Sequence, residues 1–129
     1  MKIEHVALWT RQLEVLRDFY CRCFDGNAGP RYYNSRTGFR SYFVTFADGA
    51  RLELMQLAGI VASGYDPAVP LQGWAHIAFS VGGREAVDAL TERLRADGVR
   101  IISEPRTTGD GYYESVILDP DGNRVEITI

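Results

Sequence analysis

One seven-residue pattern occurs twice in this chain, and it limits what the chain can fold into more than any other feature. Asp48-Gly49-Ala50-Arg51-Leu52-Glu53-Leu54 and Asp121-Gly122-Asn123-Arg124-Val125-Glu126-Ile127 both read Asp-Gly-x-Arg-aliphatic-Glu-aliphatic, 73 residues apart. Asp-Gly is a turn signal because glycine reaches positive φ without steric cost. The residues after it alternate polar and apolar, the period of a strand with one buried face. A second pair confirms duplication: His5-Val6-Ala7-Leu8 is matched 71 residues later by His76-Ile77-Ala78-Phe79. The chain therefore reads as two copies of one unit, each opening on a histidine and closing on a glutamate.

Along the first copy, alternation predicts a strand over 2–9 and helical spacing predicts a helix over 11–24. Leu13, Leu16, Phe19, Tyr20 and Phe24 make the helix's apolar stripe, and Gly26 suits its C-terminal cap. A short strand is expected near 31–33, then strands over 39–46 and 51–57. Gly59, Gly64, Pro67 and Pro70 mark 58–72 as a linker. The second copy repeats the order, with a strand over 74–81 and a helix over 84–96 ended by Asp97-Gly98. A strand at 99–103, a loop at 104–111, and strands at 112–118 and 123–129 complete it. The expectation is α+β: two tandem βαβββ modules, 1–57 and 73–129, within one domain spanning 1–129.

Side chains alternate across a strand, so faces can be compared between the copies. His5 and His76 share their faces with small neighbours, Ala7 and Ala78. Leu52 and Leu54, and Val125, Ile127 and Ile129, form the aliphatic faces that a helix can cover, while Glu53 and Glu126 point the other way. Residues flanking the histidines, Glu4 and Val6 or Ala75 and Ile77, fall on the helix side. If each unit curls its sheet into a half-barrel, His5, Glu53, His76 and Glu126 converge in one concavity. Two neutral imidazoles and two carboxylates suit a divalent ion, and Ni, Co, Mn, Fe and Zn all accept this donor set. Arg51 and Arg124, each two residues before a glutamate, either neutralise it or hold an anionic substrate.

Composition excludes several classes. Formal net charge is −3, which gives no basic face for nucleic acid. No apolar run of about 18 residues is present, so no membrane span is expected. The strand pattern begins at once, so no signal peptide is expected. Cys21 and Cys23, the only cysteines, lie two apart on the expected helix and diverge, which predicts no disulfide between them. Their reduced state fits a cytoplasmic protein, which is the expectation.

These stretches resemble the vicinal oxygen chelate superfamily, with the glyoxalase and bleomycin-resistance fold. The resemblance rests on His5 with Phe19-Tyr20, on Glu53 after Asp48-Gly49, on Gly73-Trp74-Ala75-His76-Ile77-Ala78-Phe79-Ser80-Val81 and on Asp119-Pro120-Asp121-Gly122-Asn123-Arg124-Val125-Glu126. It implies paired βαβββ modules that form a cupped mixed sheet with helices outside. It implies His5, Glu53, His76 and Glu126 as metal ligands, and a substrate that chelates the ion through two adjacent oxygens and passes through an enediolate-type intermediate. By likeness to lactoylglutathione lyase, Glu126 is the leading base and Glu53 the alternative. It also implies a homodimer, in which His5 and Glu53 come from one chain and His76 and Glu126 from the other.

Within the superfamily, a triad of two histidines and one glutamate resembles extradiol dioxygenases and fosfomycin-modifying transferases. Here Glu53 fills the fourth position, so lyase or isomerase chemistry is the expectation and dioxygenase-like chemistry the alternative. Bleomycin-resistance members offer a third reading, a metal-free drug-binding cup. Two departures weigh against glutathione: Trp9 stands where the similar lyases carry an arginine, and Leu57 where they commonly carry an asparagine. Trp9, Tyr32, Tyr33, Tyr112 and Tyr113 are either core residues or the lining for a flatter, aromatic substrate.

Overall fold

A computed structural model describes residues 1–62, 64 and 66–129; Ser63 and Tyr65, inside the expected linker, lie outside the described residues. The chain divides into two compact units, 1–64 and 65–129. Unit 1 comprises β1 (His5–Trp9), α1 (Leu13–Cys23), β2 (Asn27–Ala28), β3 (Tyr32–Tyr33), β4 (Arg40–Thr45) and β5 (Arg51–Gln56). Unit 2 comprises β6 (Ile77–Ser80), α2 (Arg84–Ala96), β7 (Ile101–Thr107), β8 (Tyr113–Leu118) and β9 (Arg124–Thr128). The fold is α+β, built on two mixed sheets that do not close into barrels. In unit 1 the strands run β1-β5-β4-β2, with β3 also on β4; in unit 2 they run β6-β9-β8-β7. In both, the first strand lies parallel to the last, and the remaining pairs are antiparallel.

Each helix covers one face of its own sheet. Leu13, Leu16, Phe19, Tyr20 and Cys23 are buried along one stripe of α1 and meet a sheet face that buries Val44, Leu52 and Leu54. In α2 the stripe is Val87, Thr91 and Leu94, above Ile117, Val125 and Ile127. Thr91 is polar but satisfied: its hydroxyl donates to the Val87 carbonyl at 2.7 Å and lies 2.7 Å from the Ser115 hydroxyl. A buried hydroxyl pair of this kind avoids the cost of an unmade hydrogen bond.

The two helix ends differ, and this corrects the sequence reading. Gly98 takes the left-handed conformation after α2 (φ 80°), whereas after α1 it is Asp25 that does so (φ 53°). Gly26 serves close packing instead: a Cβ there would sit 2.6 Å from Val44 Cγ1 and 3.0 Å from the Tyr20 carbonyl oxygen. The repeated Asp-Gly turns do use glycine for positive φ, at Gly49 (87°) and Gly122 (85°). The second turn is tied by buried Asp119, whose carboxylate accepts from the backbone of Asp121 and Asn123 at 2.9 Å each.

Several strand limits differ from the expected ones, and β1 begins at His5 rather than at residue 2. β6 starts at Ile77, not 74, because Trp74 stands free of the sheet at 92% exposure. β7 continues to Thr107 through residues expected to be loop, with register shifts between Ile101 and Ser103 and between Ser103 and Arg106. Pro105 is tolerated there because β7 is an edge strand and irregular at that point. Asn27–Ala28 adds a short strand on β4 that the sequence pattern did not reveal.

Candidate metal centre

The register sorts each sheet into rows. In a parallel pair, residues directly opposite share a face, so pairing of Ala7 with Glu53 and of His5 with Arg51 puts His5 and Glu53 on the same side of sheet 1. That side faces away from α1, since Leu52 and Leu54 on the opposite side are buried beneath the helix. His5 Nε2 lies 3.8 Å from Glu53 Oε2. In unit 2, Ala78 is opposite Glu126, His76 immediately precedes β6, and His76 Nε2 lies 3.3 Å from Glu126 Oε2. Each histidine side chain is about two-fifths exposed, while each glutamate retains 15% exposure. The structure thus brings together His5 with Glu53 and, separately, His76 with Glu126.

Among the described residues, no group of three or more His, Cys, Asp or Glu side chains forms a metal-holding cluster; each unit presents a pair. The pair spacing fits a shared cation. With metal–donor bonds of about 2.1 Å, two donors lie about 3.0 Å apart at a right angle and about 3.4 Å apart at a tetrahedral angle. The 3.3 Å pair already meets this, and the 3.8 Å pair needs a small rotamer change.

The surroundings of the pairs differ. Glu4 was expected beneath the helix; instead it is exposed and bonds to His5 Nδ1 and to the Arg51 guanidinium. An ionised carboxylate only accepts, so His5 Nδ1 donates to Glu4, and Nε2 is the ring nitrogen that faces Glu53. The His5 hydrogen bond, with Arg51 nearby, holds the Glu4 carboxyl below the ordinary range. The corresponding residue before His76 is Ala75, which offers no such support.

In unit 2, Glu126 is pushed above the ordinary carboxylate range, first by burial and then by neighbouring Glu114, with His76 and Arg106 opposing. Glu114 escaped the sequence reading because it belongs to neither repeat. Its side chain is 12% exposed, and Arg106 Nη2 approaches it to 3.6 Å. The signal that could have found it is the 73-residue offset of the last strands: carried back to β4 and β8, it aligns Glu114 with Ser41 on the histidine face.

A family model described as the Glyoxalase/Bleomycin resistance protein/Dioxygenase superfamily matches residues 2–127. The chain belongs to this superfamily. Its fold agrees with that of a glyoxylase/bleomycin resistance protein/dioxygenase domain from Frankia sp. EAN1pec, at TM-score 0.82 and 22% identity, covering 100% of this chain and 97% of that one. The trypanothione-dependent glyoxalase I of Leishmania major superposes at TM-score 0.79 with 20% identity, over 99% of this chain and 86% of that one. The Bacillus subtilis protein YqjT is 24% identical over 134 residues, spanning 97% of this chain and 96% of its own length.

For this superfamily member, the roles left open for the arginines resolve differently in the two units. Arg51 pairs with Glu4 and stacks 4.0 Å from the Phe43 ring centroid, leaving its buried Nε without a hydrogen-bond partner. Arg124 donates to the Pro67 carbonyl at 2.9 Å and so anchors the chain ahead of β6. Among the described residues, neither forms an ion pair with the glutamate two positions on. The aromatic residues are not core: Trp9, Tyr32, Tyr33 and Tyr112 are each more than half exposed. Tyr113 turns to the helix side, where its hydroxyl donates to Asp88 at 2.8 Å.

Proposed function

We propose that this chain is a metal-dependent lyase or isomerase of the glyoxalase type, acting on a small substrate that presents two adjacent oxygens. The observation that carries the reading is the matched pair: a histidine and a glutamate at equivalent register positions in both units, each with donor atoms 3.3–3.8 Å apart. Joined, the pairs make the set His5, Glu53, His76 and Glu126, suited to Ni, Zn, Co, Mn or Fe. The ion would supply charge stabilisation for oxygens that become more negative as a neighbouring carbon loses its proton.

The chain's own residues do the rest. Glu126 takes the proton on a carboxylate oxygen, holds it, and returns it to the adjacent carbon. Burial and the neighbouring Glu114 raise its proton affinity above the ordinary carboxylate range. Glu53 is the alternative base for a substrate presented from the opposite side. The small side chains of Ala7 and Ala78, beside the two glutamates in the register, leave room for the substrate. The active form is a cytoplasmic homodimer in which each cup combines His5 and Glu53 of one chain with His76 and Glu126 of the other. Among the described residues no helix is long and apolar enough to cross a membrane, and both cysteines are free thiols.

Metal content tests the reading most cheaply. Protein purified without added metal, then dialysed against Ni²⁺ and Zn²⁺ in turn, should retain a divalent ion; protein that never binds one refutes the assignment. A screen of α-keto aldehydes, 2-oxo acids and catechols then finds the substrate. The methylglyoxal–glutathione hemithioacetal should be a poor one, because Trp9 and Leu57 give its carboxylates no charged partner. A kcat/KM within the ~10⁴–10⁸ M⁻¹s⁻¹ common for enzymes on their own substrates would overturn that exclusion. The half-exposed rings of Trp9 and Tyr32 favour one second reading, a metal-free binding protein of the same superfamily. The dialysis separates the two.

A further inference from the structure

We infer that the row beside Glu53 in unit 1 is an aryl subsite, so that the preferred ligand couples adjacent oxygens to a flat aromatic ring; this rests on the oxygen-chelating function proposed above. The register gives the placement. Trp9 is opposite Met55, Met55 opposite Ser41, and Ser41 opposite Tyr32, so these four form one row across the sheet on the His5–Glu53 face. The row lies two residues beyond Glu53, about 6.7 Å along the strands. Phe39 joins it, with its ring centroid 6.1 Å from Trp9 and 6.0 Å from Tyr32.

Three rings in edge or tilted contact form a wall with faces still open: Trp9 is 51% exposed and Tyr32 54%. Large rings left that open, beside a polar pair, forgo the stabilisation that burial gives elsewhere in the same unit, where Tyr20 is fully buried. The wall also carries no charge. In unit 2 the equivalent row is Ser80, Thr128, Glu114 and Arg106, which suits hydrogen bonding. Of these two rows, the one in unit 1 offers stacking, and its distance from Glu53 is within the reach of a ring attached directly to an oxygen-bearing carbon pair.

Two acids that differ only in this ring, phenylglyoxylate and pyruvate, test the inference. Trp9 and Trp74 are the only tryptophans, so a Trp74→Phe background leaves Trp9 as the sole indole reporter. In metal-loaded full-length protein, phenylglyoxylate should quench Trp9 emission and bind at least about ten-fold tighter than pyruvate. Trp9→Ala and Tyr32→Ala, read by competition calorimetry, should remove that preference without changing metal affinity, and Trp9→Phe should keep most of it. Equal binding of the two acids overturns the inference. So does Trp9 emission that is already blue-shifted and shielded from acrylamide without ligand, since the rings would then be covered by protein. Metal is read separately, by the ion content of protein dialysed against Ni²⁺ and Zn²⁺. A phenyl preference in protein that retains no ion supports the aryl subsite while removing the metal function, whereas a bound ion with no phenyl preference does the reverse.

Discussion

The two units keep the same histidine and glutamate on the same topology, yet almost everything around those residues differs. In unit 1 the histidine is held by Glu4, which Arg51 holds in turn; in unit 2 the preceding residue is Ala75 and the arginine has turned to Pro67. Beyond the glutamate, unit 1 presents Trp9, Tyr32 and Phe39, and unit 2 presents Arg106 and Glu114 against Glu126. Duplication thus preserved the pair and released its neighbours. The half with the better-supported histidine carries the aromatic wall, and in the half with the crowded carboxylates Glu126 holds its proton above the ordinary range.

The contrast can be broken first at what the units share. His5→Ala and His76→Ala should each lower divalent-metal affinity about 100-fold or more, because neither pair has a spare imidazole; competition with a chelating dye measures this. If one loss is tolerated, the units are not equal partners. A smaller effect separates the two helix ends. Gly26→Ala should destabilise by about 1–3 kcal/mol, because the new Cβ meets Val44 and backbone. Gly98→Ala should cost only about 1 kcal/mol, since the space is open and only its positive φ is strained. Urea denaturation ranks the two, and the reverse order would contradict the packing role of Gly26.

Glu4→Gln sharpens the comparison further. Loss of the ionised acceptor should weaken metal binding by about ten-fold, the lower range for an outer partner, and shift His5 toward its other tautomer in ¹⁵N spectra. Ala75→Glu would place a carboxylate beside His76 and should leave affinity unchanged or raised. The smallest effect is on metal-free stability. The folded state holds the Glu126 proton more tightly than the ordinary value of 4.5 allows. Its contribution is therefore fully present below that value and is lost as pH rises through the folded titration. Glu126→Gln removes the buried charge and should raise neutral-pH stability by less than about 1 kcal/mol, with the gain fading toward pH 4. Thermal melts at both pH values check the sign.

Much of this was legible because the duplicated stretches carry turn, strand period and polarity together. The faces of His5, Glu53 and Glu126 followed from alternation alone, and both helices from their apolar stripes. What was not legible depends on contacts between strands. Nothing in the spacing says that Arg51 reaches Glu4 while Arg124 reaches Pro67. Glu114 looks like one polar residue in a buried strand until its pairing with Thr128 sets it beside Glu126. The left-handed turn at Asp25 was hidden because Gly26 next to it offered the obvious explanation.

The stoichiometry of metal binding tests the central claim, that two separate His–Glu pairs serve one ion, most directly. Equilibrium dialysis of the metal-free protein against Ni²⁺ should give one tight ion per chain, lost entirely on replacement of either His5 or His76. Two weak ions per chain, with each replacement removing only one, would mean that the pairs act independently and would contradict the account.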